Sequence, residues 1–202
     1  MRAPRAVIVV AGGRSRRFGS DKLAHRIGGR TLLERTVGAA RGAGPVVLVT
    51  AADPPPSVAV AVSESPRWGG PCAAVAAGVD AVAAVAPEGA DVLILPADLA
   101  DPVAAVAALL AVDSGVLVDR AGRPQWLLAR APLADLRARV AELRRERPVL
   151  DGLSAAALLS VVEGRHPVDD EVCADIDVPS DLPHPSLSSA DLRAKELAHG
   201  TV

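Results

Sequence analysis

The residues of this 202-residue chain that could do chemistry gather in a few short stretches. In A-G-G-R-S-R-R-F-G-S-D-K, two glycines (Gly12, Gly13) precede a run of cations. Glycines permit positive φ and let backbone N–H groups come close to a ligand, which is how successive amides cradle phosphate. Arg14, Arg16, Arg17 and Lys22 place charged donors around that turn. The charge is local: residues 1–30 hold eight Lys or Arg against one acid, a net of +7, so with −2 for the whole chain the remainder carries −9. Such a cluster favours a small anionic ligand over a nucleic-acid stripe. A second stretch, D-V-L-I-L-P-A-D, ends on Asp98. A third, D-I-D, sets Asp175 and Asp177 at i and i+2, which on an extended segment point the same way and make a carboxylate ledge for a metal or an acceptor. Other chemistries find no support: there is no G-K-[ST] of a Walker loop, no G-x-G-x-x-G fingerprint, and no metal or nucleophile spacing among the four histidines.

These residues need elements to position them. Ala6 to Val10 is apolar and β-branched, as in a strand buried on both faces of a parallel sheet. Val46–Val49, Val58–Val62 and Val92–Leu95 read as further strands, and open α/β sheets bind ligands at the carboxyl ends of such strands, where Asp98 falls. Helices are expected from Thr31, with Glu34 completing a capping box, from Pro71, over 102–112, over 132–147 and from Pro148 through Leu159. Asp101, just ahead of Pro102, is the better cap for its helix, which frees Asp98 from that role. Strands are expected at 115–119, 125–130 and 161–163. The stripe Leu133, Leu136, Val140 and Leu143 gives the 132–147 helix an apolar face, and its arginines read as a solvated one. Asp53, amid prolines, reads as turn chemistry. Strands alternating with helices through short turns predict a three-layer α/β/α sandwich with a mainly parallel sheet.

The whole chain agrees with an enzyme-sized domain over 1–182, followed by a 183–202 tail with one short helix. Half of it is apolar, yet Phe18, Trp68 and Trp126 are its only aromatics, so the core must be Ala, Val, Leu and Ile. Cys72 and Cys173 form no C-x-x-C pair, which indicates neither zinc nor a disulfide framework and makes a reducing cytoplasm the default. The N-terminus is too short in apolar residues for a signal segment, no stretch reaches membrane length, and the near-neutral balance attracts neither membrane nor nucleic acid.

The loop V-A-G-G-R-S-R-R-F-G-S-D-K resembles the signature of the MobA-like nucleotidyltransferases, L-A-G-G-x-S-x-R-M-G-x-D-K. Gly29, Leu32, Leu33 and Arg35 fit the family's G-x-x-L-L-x-R, while Gly70, Pro71, Ala73 and Gly78 fit its G-P-L-A-G helix start. P-A-D at Asp98 fits P-x-D, and Asp175 to Leu182 fits [DN]-x-[DN]-T-P-E-[DE]-L with Val178 in place of Thr. The resemblance implies the nucleotide-diphospho-sugar-transferase-like fold and transfer of GMP from GTP to molybdenum-molybdopterin with release of pyrophosphate. It implies triphosphate binding by Val10, Ala11, Gly12, Gly13 and Lys22, catalysis by Arg17, Lys22 and Asp98, and Mg²⁺ held by Asp98. Gly70 and Pro71 shape the nucleotide site, and Asp175 and Asp177 serve the metal or acceptor. Thr50 stands where relatives often have Asn. In the loop where relatives carry Asp, Glu64 sits between Ser63 and Ser65, any of which could take its place. Trp126, in G-R-P-Q-W, falls on the acceptor side and reads either as a pterin platform or as sheet core. A CTP-dependent branch and a nucleotide-binding module without turnover are the alternatives, and molybdoenzymes or their chaperones are the implied recipients.

Overall fold

The structure is a computed structural model that describes residues 5–12, 22–51, 54–55, 57–87 and 89–176. The predicted tail, the short helix within it and Asp53 lie outside the described residues, as do Gly13, Arg17 and Asp177. The first apolar run forms β1 (Arg5–Val10). A single 3-10 turn at Lys22–Ala24 and a small antiparallel ribbon, β2 (Arg26–Ile27) and β3 (Arg30–Thr31), then lead into α1 (Leu32–Ala40). The predicted capping box closes this entry: the Glu34 N–H donates to Thr31 Oγ1 at 3.0 Å and the Thr31 N–H to Glu34 Oε2 at 2.7 Å.

There follow β4 (Val46–Val49), β5 (Val60–Val62), α2 (Pro71–Val82) and β6 (Asp91–Pro96). Next comes α3 (Pro102–Ala111), capped by Asp101, whose carboxylate accepts from the Val103 and Ala104 N–H groups. β7 (Gly115–Val118), β8 (Pro124–Pro132) and α4 (Leu133–Glu146) carry the chain to α5 (Ala155–Leu159), β9 (Arg165–Pro167) and α6 (Asp170–Cys173). Two expectations shift. The helix predicted from Pro148 is only α5, because Gly152 takes a left-handed φ of 71° and its N–H donates to Gly69 O, tying the turn to the loop before α2. The strand predicted at 161–163 is displaced to β9: Val162 is buried on a turn, and Gly164 (φ 90°) redirects the chain.

The large sheet has the order β5-β4-β1-β6-β8-β7-β9. β5, β4, β1 and β6 are mutually parallel; β8 runs against both β6 and β7, and β9 lies parallel to β7. Alternation along β1 sorts the core into layers. Ala6, Ile8 and Val10 pack with α2, α4 and α5 on one face, whereas Val7 and Val9 pack with Ala40 of α1 and with Ala105 and Leu109 of α3 on the other. With so few aromatics, close approach replaces bulk. At Gly78 a Cβ would stand 2.6 Å from Ile8 Cγ2, which is fully buried in β1 and has nowhere to move. Gly78→Ala is therefore expected to cost about 1–3 kcal/mol of unfolding free energy, read from urea titrations with an unchanged m-value. Among the described residues, no helix is long and apolar enough to cross a membrane.

Candidate active site

From β1 the chain moves outward to β4 and β5, then returns across β1 to β6. The crevice at the carboxyl ends of β1 and β6 is thus the switch point of the sheet, where diverging connections leave room for a ligand. A cavity of 130 Å³ opens there, lined by Val10, Ala11 and Gly12 from the end of β1, Lys22 and Leu23, Pro96, Ala97 and Asp98 past β6, Leu127 of β8, and Asp175. Lys22 Nζ lies 2.5 Å from Asp98 Oδ2, with the two side chains 14 and 22 % exposed. The glycine-loop cation and the β6 aspartate, distant in sequence, meet at one point.

Asp98 is held by its backbone neighbours. The Ala97 N–H donates to Val10 O at 3.0 Å, and the Ala97 carbonyl accepts from Thr36 Oγ1 at 3.1 Å. Arg35 Nη2 donates to Ala100 O at 2.9 Å, so α1 clamps both ends of the turn that carries Asp98. From the other side, the Ile176 N–H donates to Asp98 O and the Ala100 N–H to Ala174 O, both at 2.9 Å. This ladder pairs Asp175 with Leu99 and sets Asp175 on the wall of the cavity. Among the described residues no group of three or more His, Cys, Asp or Glu forms. Two carboxylates on one cavity nevertheless fit Mg²⁺, which takes one or two carboxylates and completes its shell with water and phosphate oxygens.

The glycine loop needs one correction. The Ala11 N–H donates to Val49 O at 2.8 Å, extending the β1–β4 ladder, so this amide is committed to the sheet and cannot serve a phosphate. Gly12 is the first residue past the ladder. Its φ is not left-handed, and among the described residues an added Cβ would meet only Glu64 Oε1, at 3.6 Å. Backbone conformation does not require glycine here, and the space a side chain would fill stays open to the cavity. Gly12→Ala should therefore melt like the parent while binding nucleoside triphosphate about tenfold more weakly, as isothermal calorimetry can test.

A second chamber, 270 Å³, shares Val10, Gly12 and Leu127 with the first and is completed by Glu64, Trp68, Gly70, Pro71 and Ala74. Glu64 is only 5 % exposed. Its Oε1 accepts from the Trp68 N–H at 3.1 Å, while Oε2 is buried without a hydrogen-bond partner among the described residues. Gly70, at φ 93°, and Pro71 start α2 against this chamber. Of the residues open for the loop position, Glu64 is the one that lines it; Ser63 and Ser65 line a separate groove beside α2 and α4. Thr50 is buried at the end of β4, its N–H donating to Val62 O, and lines neither chamber. Trp126 packs on the core with the Arg165 guanidinium 5.0 Å from its ring centre, and so behaves as sheet core.

Sequence reasoning passed over Trp68, Leu127 and the Thr36 clamp. Thr36 alone left a trace, as a polar residue inside the buried face of α1. Both cysteines are buried: burial, reinforced by Asp119, pushes the Cys173 thiol up to about 11, and burial raises Cys72.

A family model described as the MobA-like NTP transferase domain matches residues 7–160. Among curated proteins none matches the sequence. Similar solved structures include molybdopterin-guanine dinucleotide biosynthesis protein A from Archaeoglobus fulgidus, 15 % identical with a TM-score of 0.57, covering 97 % of this chain and 100 % of that one. Another is 2-C-methyl-D-erythritol 4-phosphate cytidylyltransferase from Francisella tularensis, at 13 % identity and TM-score 0.60, covering 96 and 99 % of the two chains. A third is a nucleoside-diphosphate-sugar pyrophosphorylase from Vibrio cholerae, at 15 % and 0.57, covering 87 and 97 %. At such identities the likeness shows the fold, which is nucleotide-diphospho-sugar-transferase-like.

Proposed function

Because this chain belongs to the MobA-like NTP transferase family, and is thus a nucleotidyltransferase, we propose that it transfers GMP from GTP to molybdenum-bound molybdopterin and releases pyrophosphate. The reaction joins a phosphate oxygen of the acceptor to the α-phosphorus and breaks the α–β bond. An acceptor phosphate is already a nucleophile near neutral pH, so the protein has to align and neutralise rather than remove a proton. Lys22, beside Asp98 at the switch point and across the cavity from Gly12, is placed to bind the triphosphate. Asp98, with Asp175 beside it, would hold a Mg²⁺ that supplies charge neutralisation on the phosphates when bound. The α1 clamp keeps the Asp98 turn from yielding to that charge.

The observation that supports the choice of nucleotide is the Glu64 carboxylate on the chamber wall, whose buried Oε2 has no partner among the described residues and would turn to the chamber to gain one from a bound base. Guanine presents two adjacent donors, N1–H and the 2-amino group, to which an acceptor-only carboxylate is complementary; cytosine offers one amino donor next to an acceptor nitrogen. The acceptor follows the family resemblance and the name of the Archaeoglobus protein. The protein with Mg²⁺ is expected to release pyrophosphate from GTP only when molybdenum-bound molybdopterin is supplied, and far more slowly from ATP, CTP or UTP. Faster turnover with CTP would move the nucleotide assignment. GTP binding without any turnover would replace the transferase with a binding module.

A further inference from the structure

We propose that Trp68 is the platform on which the base of the bound nucleotide stacks, a role that rests on the nucleotidyltransferase reading of the same cleft. Trp68 is 45 % exposed, the one large aromatic surface among the described residues that lines the cleft, and it lines the same chamber as Glu64. It also holds a left-handed backbone, φ 65°, which a bulky side chain adopts only at a cost. Nearly half of its surface faces solvent, open to a ligand. What the strained position achieves is proximity: the Trp68 N–H donates to Glu64 Oε1, so one short loop fixes an aromatic ring and a buried carboxylate around one chamber. A planar heterocycle needs both parts, an apolar surface for its π-face and a polar group for its edge. Pro71, Leu127 and Ala74 supply further apolar wall.

The test uses intrinsic fluorescence. Trp126→Phe leaves Trp68 as the only indole, because the sequence has two tryptophans. GTP is then expected to quench its emission along the same binding curve that calorimetry reports. Trp68→Ala should weaken GTP binding about ten- to a hundredfold, with Trp68→Phe restoring most of it. Trp68→Gly separates binding from folding, because glycine is at ease at this φ. Its melting temperature should stay level or rise while GTP affinity falls, whereas a structural role would lower both. GTP bound by calorimetry with unchanged Trp68 emission and undiminished affinity in Trp68→Gly would overturn the stacking role and leave the GTP assignment intact. Tighter binding of CTP, with Trp68 quenched, would overturn that assignment and support the stacking. Quenching by a soluble pterin but not by any nucleotide would overturn the proposal, as would failure of all four nucleotides to bind.

Discussion

Asp98→Ala is expected to lower the rate of pyrophosphate release at least about a thousandfold, roughly 4 kcal/mol of transition-state stabilisation. Two effects combine. The carboxylate that would position the metal is gone, and Lys22 loses the partner that sets its ammonium at the crevice. The fold should survive, because the Asp98 turn is tied through the backbone atoms of Ala97, Asp98 and Ala100 to α1, β1 and the 174–176 segment. A loss of about 1 kcal/mol is expected from removing the Asp98 ion pair of the partly buried Lys22. Melting curves and single-turnover pyrophosphate release, measured on one preparation, distinguish the outcomes. A stable Asp98→Ala protein that keeps a tenth of its activity would remove Asp98 from the chemistry. Lys22→Ala should be similarly impaired, and the double variant hardly worse than either single one, because the two side chains serve the same phosphates.

Glu64→Gln is the second large effect, and it acts on selectivity. The substitution keeps size and shape, and the remaining amide oxygen can still accept from the Trp68 N–H as Oε1 does now. The fold should change little in stability, because an unpaired buried oxygen is exchanged for an unpaired but neutral amide group. The opposing Nε2 donors, however, would face the guanine donors and repel them. GTP turnover, as kcat/KM, is expected to fall about a hundredfold while CTP turnover changes little, so the preference narrows or inverts. Competition assays with GTP and CTP in one vessel read this directly. Equal loss with both nucleotides would mean that Glu64 acts on the phosphates or on the loop instead of on the base.

Much of the architecture was legible because it follows from local rules. The β-branched runs at Val7–Val10, Val46–Val49 and Val92–Leu95 could only be strands buried on both faces, and they form the parallel heart of the sheet. Thr31 with Glu34 and Asp101 with Pro102 announced their helices, as did the apolar stripe of α4. Errors arose where local pattern met a long-range tie. Gly152, bonded to Gly69, holds the chain in a turn and delays the predicted helix to Ala155, and the final strand pairs beside β7 only after the turn at Gly164.

Within the site, residue types and spacing by themselves pointed to an anionic ligand at the cationic glycine loop and placed Asp98 at a strand end, because side-chain charge and glycine geometry are properties of the chain. Tertiary structure alone decided how these parts meet. It brought Lys22 to Asp98, spent the Ala11 amide on the sheet, chose Glu64 over its serine neighbours for the chamber and left Thr50 outside it. It also turned Trp68, a loop residue with no motif, into a wall of that chamber. The physical reason is that chemistry is written residue by residue, whereas proximity and the fate of each donor are set by strand order and register, which emerge only when the whole sheet is assembled.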